Sequence, residues 1–388
     1  MKMNENSEIA EHISELALID HHVHGTLIPD LSRSEFESYL TESFEPIPPW
    51  MTQFDSQVGF AVRKYCAPHF DLPEHASADA YWAARSQWGS DEIARRLLRT
   101  SGISESIVDT GVIQTEHSER SLTTLEEFGT LANQRVHEVV RLETLLEGLV
   151  TAGVEADALE DAFDAALAAA ATTAVGFKSI MAYRYGFDFD PTRPHRDEFT
   201  AAAQEWLTSA TAGPFRVSHP VLLRALLWKA VSTGLPVQLH AGYGDADIDL
   251  ERCNPLLLTP WLRLLPANYS DVMLLHCYPY HREAGYLAQV FSRVYFDVGL
   301  AINYSGAASD RVIAESLELA PFSKVLFSTD AWGLPELHSI GAALWRRGMT
   351  RVLSNLVDDG DWSLADAKRV ASMTGHDNAQ RVYQLPNS

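Results

Sequence analysis

Eight short apolar runs, most of them ending in polar residues, recur along this chain of 388 residues and constrain its fold more than any other feature. Near-continuous runs of β-branched and apolar residues are typical of strands that are buried on both faces. The runs cover Ala17–His24, Ser106–Val112, Val136–Leu142, Ala174–Lys178, Pro236–His240, Val272–His276, Val294–Val298 and Lys324–Asp330.

Helical patterns lie between most of these runs. Residues 156–171 are rich in alanine, residues 219–233 place apolar side chains at helical spacing, and residues 310–319 follow a Gly/Ser turn. Strands that alternate with helices form parallel sheets covered by helices. Eight such units favour a (β/α)₈ TIM barrel, of class α/β, over an open doubly wound sheet.

One interval is too long for a plain barrel. About 80 residues separate His24 from Ser106, roughly twice what a βα connection needs. The interval is rich in aromatic residues, and residues 77–100 read as helical. We therefore expect a single domain over residues 1–388, in which residues 25–100 form a helical insertion over the C-terminal mouth of the barrel.

The charge and the cysteines narrow the class of protein further. The net charge of −22 argues against nucleic-acid or anionic-membrane partners, which require a basic face. Cys66, Cys253 and Cys277 stand far apart, which disfavours a disulfide scaffold. The first residues lack the apolar core of a signal peptide, and no apolar run approaches the length of a membrane span. We expect a cytoplasmic protein that acts on a small molecule.

The most distinctive local motif is the Asp-His-His-Val-His run of residues 20–24, at the end of the first predicted strand. Alternate residues of a strand point to the same face, so His22 and His24 project together. This is how one strand can offer two imidazoles to one metal ion. By itself an His-x-His pair is a weak signal, because the chain contains 15 histidines.

Four more polar groups stand at the ends of later predicted strands: Lys178, His240, His276 and Asp330. A barrel gathers these strand ends at one mouth, where its active site lies. Imidazole and carboxylate ligands suit Zn²⁺, with Mn²⁺, Fe²⁺ or Ni²⁺ as alternatives. The competing interpretation gives each group a structural role as a satisfied polar residue of the core or rim.

This set of residues resembles the amidohydrolase superfamily of metal-dependent hydrolases. Longer blocks resemble the amidohydrolase-like half of the nodulin/glutamine-synthetase-like (FluG-type) fusion proteins, from about residue 17 to the C-terminus. These blocks are residues 176–184, 236–245, 275–279, 282–286, 326–331 and 378–383. The glutamine synthetase half of those fusion proteins is absent from this sequence.

The resemblance implies a role for each strand-end residue. His22 and His24 would hold a metal, His240 and His276 would complete the site, and Asp330 would bind the metal and move protons. Lys178 has two possible roles. A carboxylated lysine bridges two metals in binuclear relatives, whereas an unmodified Lys178 could bind a substrate oxygen or pair with Asp330. One or two metal ions are therefore expected.

Other residues are suited to binding the substrate. Arg141 and Arg184 could each bind a carboxylate with both arms of the guanidinium, although a surface or interface ion pair is the alternative. Four more candidates lie on loops at the same mouth, where aromatic residues more often form the wall than act in catalysis. These candidates are Tyr183, Tyr243, His281 and Trp332.

These observations predict an enzyme, a metal-dependent amidohydrolase that cleaves an amide C–N bond of a small carboxylate-bearing substrate. Asp330, His240 and His276 would be its catalytic residues. A γ-glutamyl amide is suggested by the fusion of the relatives to glutamine synthetase. The alternatives are a lactonase, a decarboxylase or a sugar-acid isomerase, and then a non-catalytic metal-binding module. Because aromatic-rich insertions often pack against a neighbouring subunit, the insertion favours a homo-oligomer.

Overall fold

A seven-stranded parallel sheet forms the centre of the protein. The computed structural model describes residues 2–28, 30–111, 114–115, 118–209 and 215–386. The strands of this sheet are β1 Leu18–Val23, β2 Ile103–Asp109, β5 Arg135–Arg141, β6 Gly176–Ser179, β7 Val237–Ala241, β8 Val272–His276 and β9 Val294–Phe296. They lie side by side in this order. A separate antiparallel pair joins β3 Gln114–Thr115 to β4 Ser118–Ser121.

Residues 324–330, the eighth predicted strand, close the sheet without forming a regular strand. Val325 pairs with Phe296 of β9, and on the other side Phe327 accepts a hydrogen bond from the backbone of His21 in β1. The pairing is irregular because the Thr329 N–H donates to the Asp20 carboxylate at 3.0 Å, and because Asp330 has a φ of +48°. The barrel is therefore closed, and the expected TIM-barrel class is confirmed.

Seven of the eight predicted runs coincide with strands, although the bounds shift by a few residues. The second run was expected to reach Val112, which lies outside the described residues; β2 ends at Asp109. The predicted helix at residues 156–171 is confirmed as a helix over Ala156–Ala170, and the one at 219–233 as Pro220–Val231. These elements were predictable because each carries a strong periodic pattern of its own.

Eighteen α-helices surround the sheet in the described part of the chain. They are α1 Lys2–Glu15, α2 Arg33–Ser38, α3 Gln57–Ala61, α4 Ala78–Arg85, α5 Ser90–Leu98, α6 Leu125–Ala132, α7 Leu142–Thr151, α8 Ala156–Ala170, α9 Met181–Arg184, α10 Arg196–Ser209, α11 Pro220–Val231, α12 Thr259–Leu264, α13 His281–Val290, α14 Gly299–Ser305, α15 Ser309–Ser316, α16 Pro335–Asp358, α17 Leu364–Ser372 and α18 Asn378–Val382. None of them is both long and apolar enough to cross a membrane.

The last helix, α18, fills one end of the barrel. Val382 and Tyr383 pack with Ile19, Ile107 and other apolar side chains of the strands. Asn378 donates to the carbonyl oxygen of Val325, at the start of the closing segment. The N-terminal ends of the strands are therefore covered, and the opposite end is where the polar strand-end residues lie.

The stretch from residue 25 to residue 100 contains four of these helices and several tighter turns. The turns are the 3₁₀ helices Gln53–Asp55 and Ala67–Phe70 and the π-helical turn Val62–Cys66. Phe36 stacks on Phe54 at a ring distance of 5.7 Å, within a buried aromatic cluster. Arg85 of α4 forms a buried ion pair of 2.5 Å with Glu336 of α16, which ties this stretch to the helix that follows the closing segment.

Candidate metal centre

Asp330 stands between three histidines that come from different parts of the chain. Its Oδ1 lies 3.1 Å from Nε2 of His22, near the end of β1, and 3.6 Å from Nε2 of His24, the residue after that strand. Its Oδ2 lies 3.3 Å from Nε2 of His276, the last residue of β8. Possible ligand atoms of His22, His276 and Asp330 all lie within 4.8 Å of one another. The spacing is compatible with one metal ion.

His240 joins this cluster from β7. Its ring centroid is 4.5 Å from that of His276. The side chain is buried, and its Nε2 atom has no hydrogen-bond partner among the described residues. An orphaned, buried imidazole nitrogen is costly unless something else occupies its lone pair or accepts its proton. A metal ion would satisfy it.

The protons of His22 and His24 are directed away from Asp330. Nδ1 of His22 donates to Oε1 of Gln238 at 2.8 Å; the amide orientation is set because Nε2 of Gln238 donates to the His21 carbonyl. Nδ1 of His24 donates to the backbone carbonyl of Asp109 at 3.1 Å. Both Nε2 atoms therefore present lone pairs to the carboxylate, and such lone pairs repel unless a cation lies between them. This donor set fits a divalent metal.

The protonation states are also those of metal ligands. Burial lowers the pKa of His22 to about 3 and that of His276 to about 4, so both imidazoles are neutral near pH 7. Metal ions bind neutral imidazole. These imidazoles therefore need not lose a proton before they bind a metal.

Lys178, at the third position of β6, lies beside the same histidines. Its Nζ is 3.3 Å from Nε2 of His22. Burial lowers the pKa of Lys178 to about 8, although Asp109 and Asp330 oppose that change. The lowered pKa leaves more of Lys178 as the neutral amine, and carbamate formation requires that form. Both possible roles of Lys178, bridging carbamate and unmodified cation, stay predictions.

Asp109 is a candidate ligand that the sequence analysis missed. It ends β2, and with His22 and His24 it forms a second group whose ligand atoms lie within 4.8 Å. Its Oδ2 accepts from Nη2 of Arg141 at 2.6 Å and from Nε at 3.2 Å. The sequence analysis missed it because the predicted run continued to Val112, which placed Asp109 inside the run, whereas β2 ends at Asp109.

The two predicted substrate arginines differ in their surroundings. Arg141 is held in a buried ion pair with Asp109, beside the candidate metal ligands. Arg184 of α9 lies 3.4 Å from a carboxylate oxygen of Glu147, and its side chain is 10% exposed. Its Nε and Nη1 groups are buried and have no hydrogen-bond partner among the described residues. Arg184 therefore has donors to offer a ligand.

The remaining predicted residues are spread over the mouth. Tyr183 packs against His240 with a ring distance of 4.4 Å, and Trp332 packs against Tyr39 with a ring distance of 4.9 Å. Tyr243 contacts the ring of Tyr304 in α14. By contrast, Nε2 of His281 donates to Glu315 at 2.6 Å, and the described contacts of this histidine include none of the candidate metal ligands.

The backbone around the ligands is strained and firmly held. His276, Cys277 and Asp330 have φ values of +67°, +55° and +48°, a region that residues other than glycine rarely adopt. Oδ1 of Asp297 accepts hydrogen bonds from the backbone N–H groups of His276 and Gly299. Such conformations persist only where the surroundings impose them, and they cluster at functional sites.

Comparison with known proteins identifies the family. The model of an amidohydrolase family matches residues 140–385. The chain belongs to this amidohydrolase family. Protein fluG of Emericella nidulans is 35% identical over 227 residues, which is 54% of this chain and 26% of that protein. The chain thus spans about a quarter of the length of that curated relative.

Solved structures agree with the family. A Lactobacillus casei protein classed as a metal-dependent hydrolase is 28% identical, with a TM-score of 0.83 and 97% of each chain covered. A uronate isomerase from Bacillus halodurans is 14% identical, with a TM-score of 0.68 over 100% of this chain and 98% of that one, which shows a shared fold alone. Family membership supports an enzyme that uses a divalent metal and acts on a small molecule.

Proposed function

We propose that this amidohydrolase cleaves the amide C–N bond of a small carboxylate-bearing substrate, and that the substrate is a γ-glutamyl amide. The observation that carries the hydrolase proposal is the arrangement of Asp330, whose carboxylate faces three imidazole nitrogens at 3.1 to 3.6 Å. The choice of a γ-glutamyl amide is supported by the 35% identity to fluG, together with the resemblance to fusion proteins that carry glutamine synthetase.

The candidate ligands are His22, His24, His240, His276 and Asp330, and Asp109 and Lys178 are available for a second ion. When bound, a divalent metal supplies Lewis acidity, which makes water nucleophilic at neutral pH and polarises a carbonyl group. We favour zinc because imidazole and carboxylate are its usual nitrogen and oxygen donors, with manganese, iron and nickel as alternatives.

Asp330 would handle the proton in this reaction. As an ionised carboxylate it can accept the proton of the attacking water at one of its oxygens. It would then return that proton to the nitrogen of the leaving amine, since an amine leaves more readily than an amide anion. General acid–base transfer of this kind typically contributes about 10²–10⁴-fold to the rate.

Arg184 is the better candidate for the substrate carboxylate. It has two buried N–H groups without partners among the described residues, whereas Arg141 is committed to Asp109. Tyr183, the preceding residue, lies against His240 and would form the adjoining wall. Tyr243 and Trp332 would line the mouth in the same way. His281, which donates to Glu315, would act on the substrate only through neighbouring residues.

We further propose that residues 25–100 cover the mouth within a single domain. Tyr39 of this stretch packs on Trp332, two residues beyond Asp330. Glu42 of the same stretch lies close enough to Tyr304, in the helix that follows β9, to add to the effect of burial in raising the pKa of that phenol. A cover at this position would exclude water from the reaction.

Substrate panels test the proposed function. Zinc-loaded protein is incubated with γ-glutamyl alkylamides and a γ-glutamyl anilide, with lactones and with uronates, and products are followed by chromatography. We expect release of glutamate and free amine, and loss of that release in the Asp330→Asn variant. Lactone hydrolysis, decarboxylation or uronate isomerisation without any amide cleavage would overturn the amidase assignment, and no turnover of any class would favour a binding module.

A further inference from the structure

A cavity of about 290 Å³ lies between the stretch of residues 25–100 and helix α16. Its walls come from α3 and the π-helical turn after it, from the 3₁₀ turn Gly306–Ala308 that follows α14, and from α16. The described residues that line it include none of the candidate metal ligands. The cavity is therefore a separate place in the fold, and the proposed function makes no use of it.

Part of the cavity wall is apolar. Phe60, Ala61, Tyr65 and Leu344 line it, and Phe60 is 53% exposed. A cavity of about 150 Å³ with apolar walls is large enough to hold benzene. This cavity therefore has room for an aromatic ring that carries a short chain. Apolar walls with a few polar groups are typical of sites that bind small molecules.

The permanently charged groups of the wall are all positive. Lys64, Arg347 and Arg351 line the cavity, and none of the described lining residues is a carboxylate. The chain as a whole has a net charge of −22, so three cations around one cavity without an acidic residue depart from its average composition. A cleft lined by charges of one sign concentrates counter-ions. The cavity should therefore attract an anion.

Two of these three cations have no carboxylate partner in the described part of the chain. Nζ of Lys64 lies 4.9 Å from the ring centroid of Tyr65. Nη2 of Arg347 donates to a backbone carbonyl of the 3₁₀ turn at 3.0 Å, whereas its Nη1 is buried and lacks a hydrogen-bond partner among the described residues. Arg351, by contrast, forms an ion pair with Asp310. A buried N–H group without an acceptor is costly, and an oxygen of a ligand would remove that cost.

We propose that this cavity binds a small organic anion, whose apolar body lies against Phe60 and Leu344 and whose carboxylate meets Lys64 and Arg347. The site is independent of the metal centre and of the proposed amide cleavage. A ligand in the cavity would contact residues 25–100 and α16 at the same time, and unfolding separates these elements. The ligand would therefore bind the folded protein alone and stabilise it.

Two probes of similar shape separate the effect of the charge from that of apolar burial. They are 3-phenylpropionate and its uncharged amide, 3-phenylpropanamide, and titration calorimetry on the zinc-loaded protein measures the affinity for each. We expect the wild type to bind the carboxylate about 10-fold to 100-fold more tightly than the amide, as charge-assisted hydrogen bonds imply. A saturating concentration of the carboxylate should also raise the Tm.

Lys64→Gln is the decisive variant, because Lys64 is half-buried and its described contact is with the ring of the neighbouring Tyr65. Lys64→Gln and Arg347→Gln should each weaken binding of the carboxylate about 10-fold and binding of the amide less than about threefold. Arg311→Gln is the matched control, since it removes an exposed arginine of α15 that does not line the cavity. It should leave both affinities unchanged.

A wild type that binds neither probe, or binds both equally well, would overturn the proposal. Carboxylate binding that is unchanged in Lys64→Gln and Arg347→Gln would place the ligand elsewhere, for example at the metal centre, and would overturn it too. If thermal melting shows that Arg347→Gln does not fold, Lys64→Gln decides by itself. Lys64→Gln should keep the zinc content and the turnover of the wild type, and a loss of zinc would overturn the assignment of a separate site.

Discussion

Gln238 accepts the Nδ1 proton of His22 at 2.8 Å and so fixes the side of the imidazole that faces Asp330. The amide cannot turn round, because its Nε2 donates to the His21 carbonyl and to the Tyr383 hydroxyl, each at 2.8 Å. Gln238 lies two residues before His240 on β7. The helix that fills the far end of the barrel thus helps to orient a candidate metal ligand through Tyr383.

Replacing Gln238 by leucine should weaken metal binding without removing a ligand. Loss of the group that orients a ligating histidine typically costs about 10–100-fold in metal affinity. Competition with a chelator of known affinity would measure the change. The exposed Gln87→Leu should bind metal as the wild type does. Unchanged affinity in the Gln238 variant would show that His22 needs no such partner or is no ligand.

The Asp330→Asn change should separate metal binding from proton transfer. If Asp330 mainly moves protons, kcat should fall by about 10²–10⁴-fold while most of the metal is retained. His22→Ala, by comparison, should lose metal. Elemental analysis of both proteins, alongside initial rates, tests this. Full metal content and full turnover in both variants would remove these residues from the site.

The buried ion pair of Arg85 and Glu336 should anchor residues 25–100 to α16. Both side chains are almost wholly buried, and Tyr81 also donates to Oε1 of Glu336 at 2.9 Å. Arg85→Leu leaves a buried charge unpaired and should lower the free energy of unfolding by about 3–5 kcal/mol. Urea denaturation of the wild type and the variant would measure this difference in the free energy of unfolding. The double change Arg85→Leu with Glu336→Leu should recover part of this loss; if it does not, the pair is not the cause.

Association of the chain with itself should involve the outer face of residues 25–100. Trp50 is 83% exposed, and Phe44 and Met51 nearby are 43% and 40% exposed. Large apolar side chains that are exposed close together in the sequence are candidates for an interaction surface. We expect a homo-oligomer by light scattering, and dissociation to monomers in Trp50→Ser with metal content unchanged. A wild type that is monomeric at all concentrations would contradict this expectation.

Some of the site was readable in the sequence because it depends on local pattern. The strand that carries His22 and His24 has its own apolar run, and so do the strands that end near His240 and His276. Parallel strands of a barrel deliver their carboxyl ends to one mouth, so placing each residue at its strand end was enough to predict that they meet. The family resemblance relied on the same residues.

The sequence by itself determined the alternation of strands and helices, and with it the barrel and the meeting of six polar residues at its mouth. Only the tertiary structure decided that Asp109 pairs with Arg141 and that Gln238 orients His22. Asp109 is 32 residues from Arg141, and Gln238 is 216 residues from His22. Such contacts depend on long-range packing, which no short pattern in the chain records.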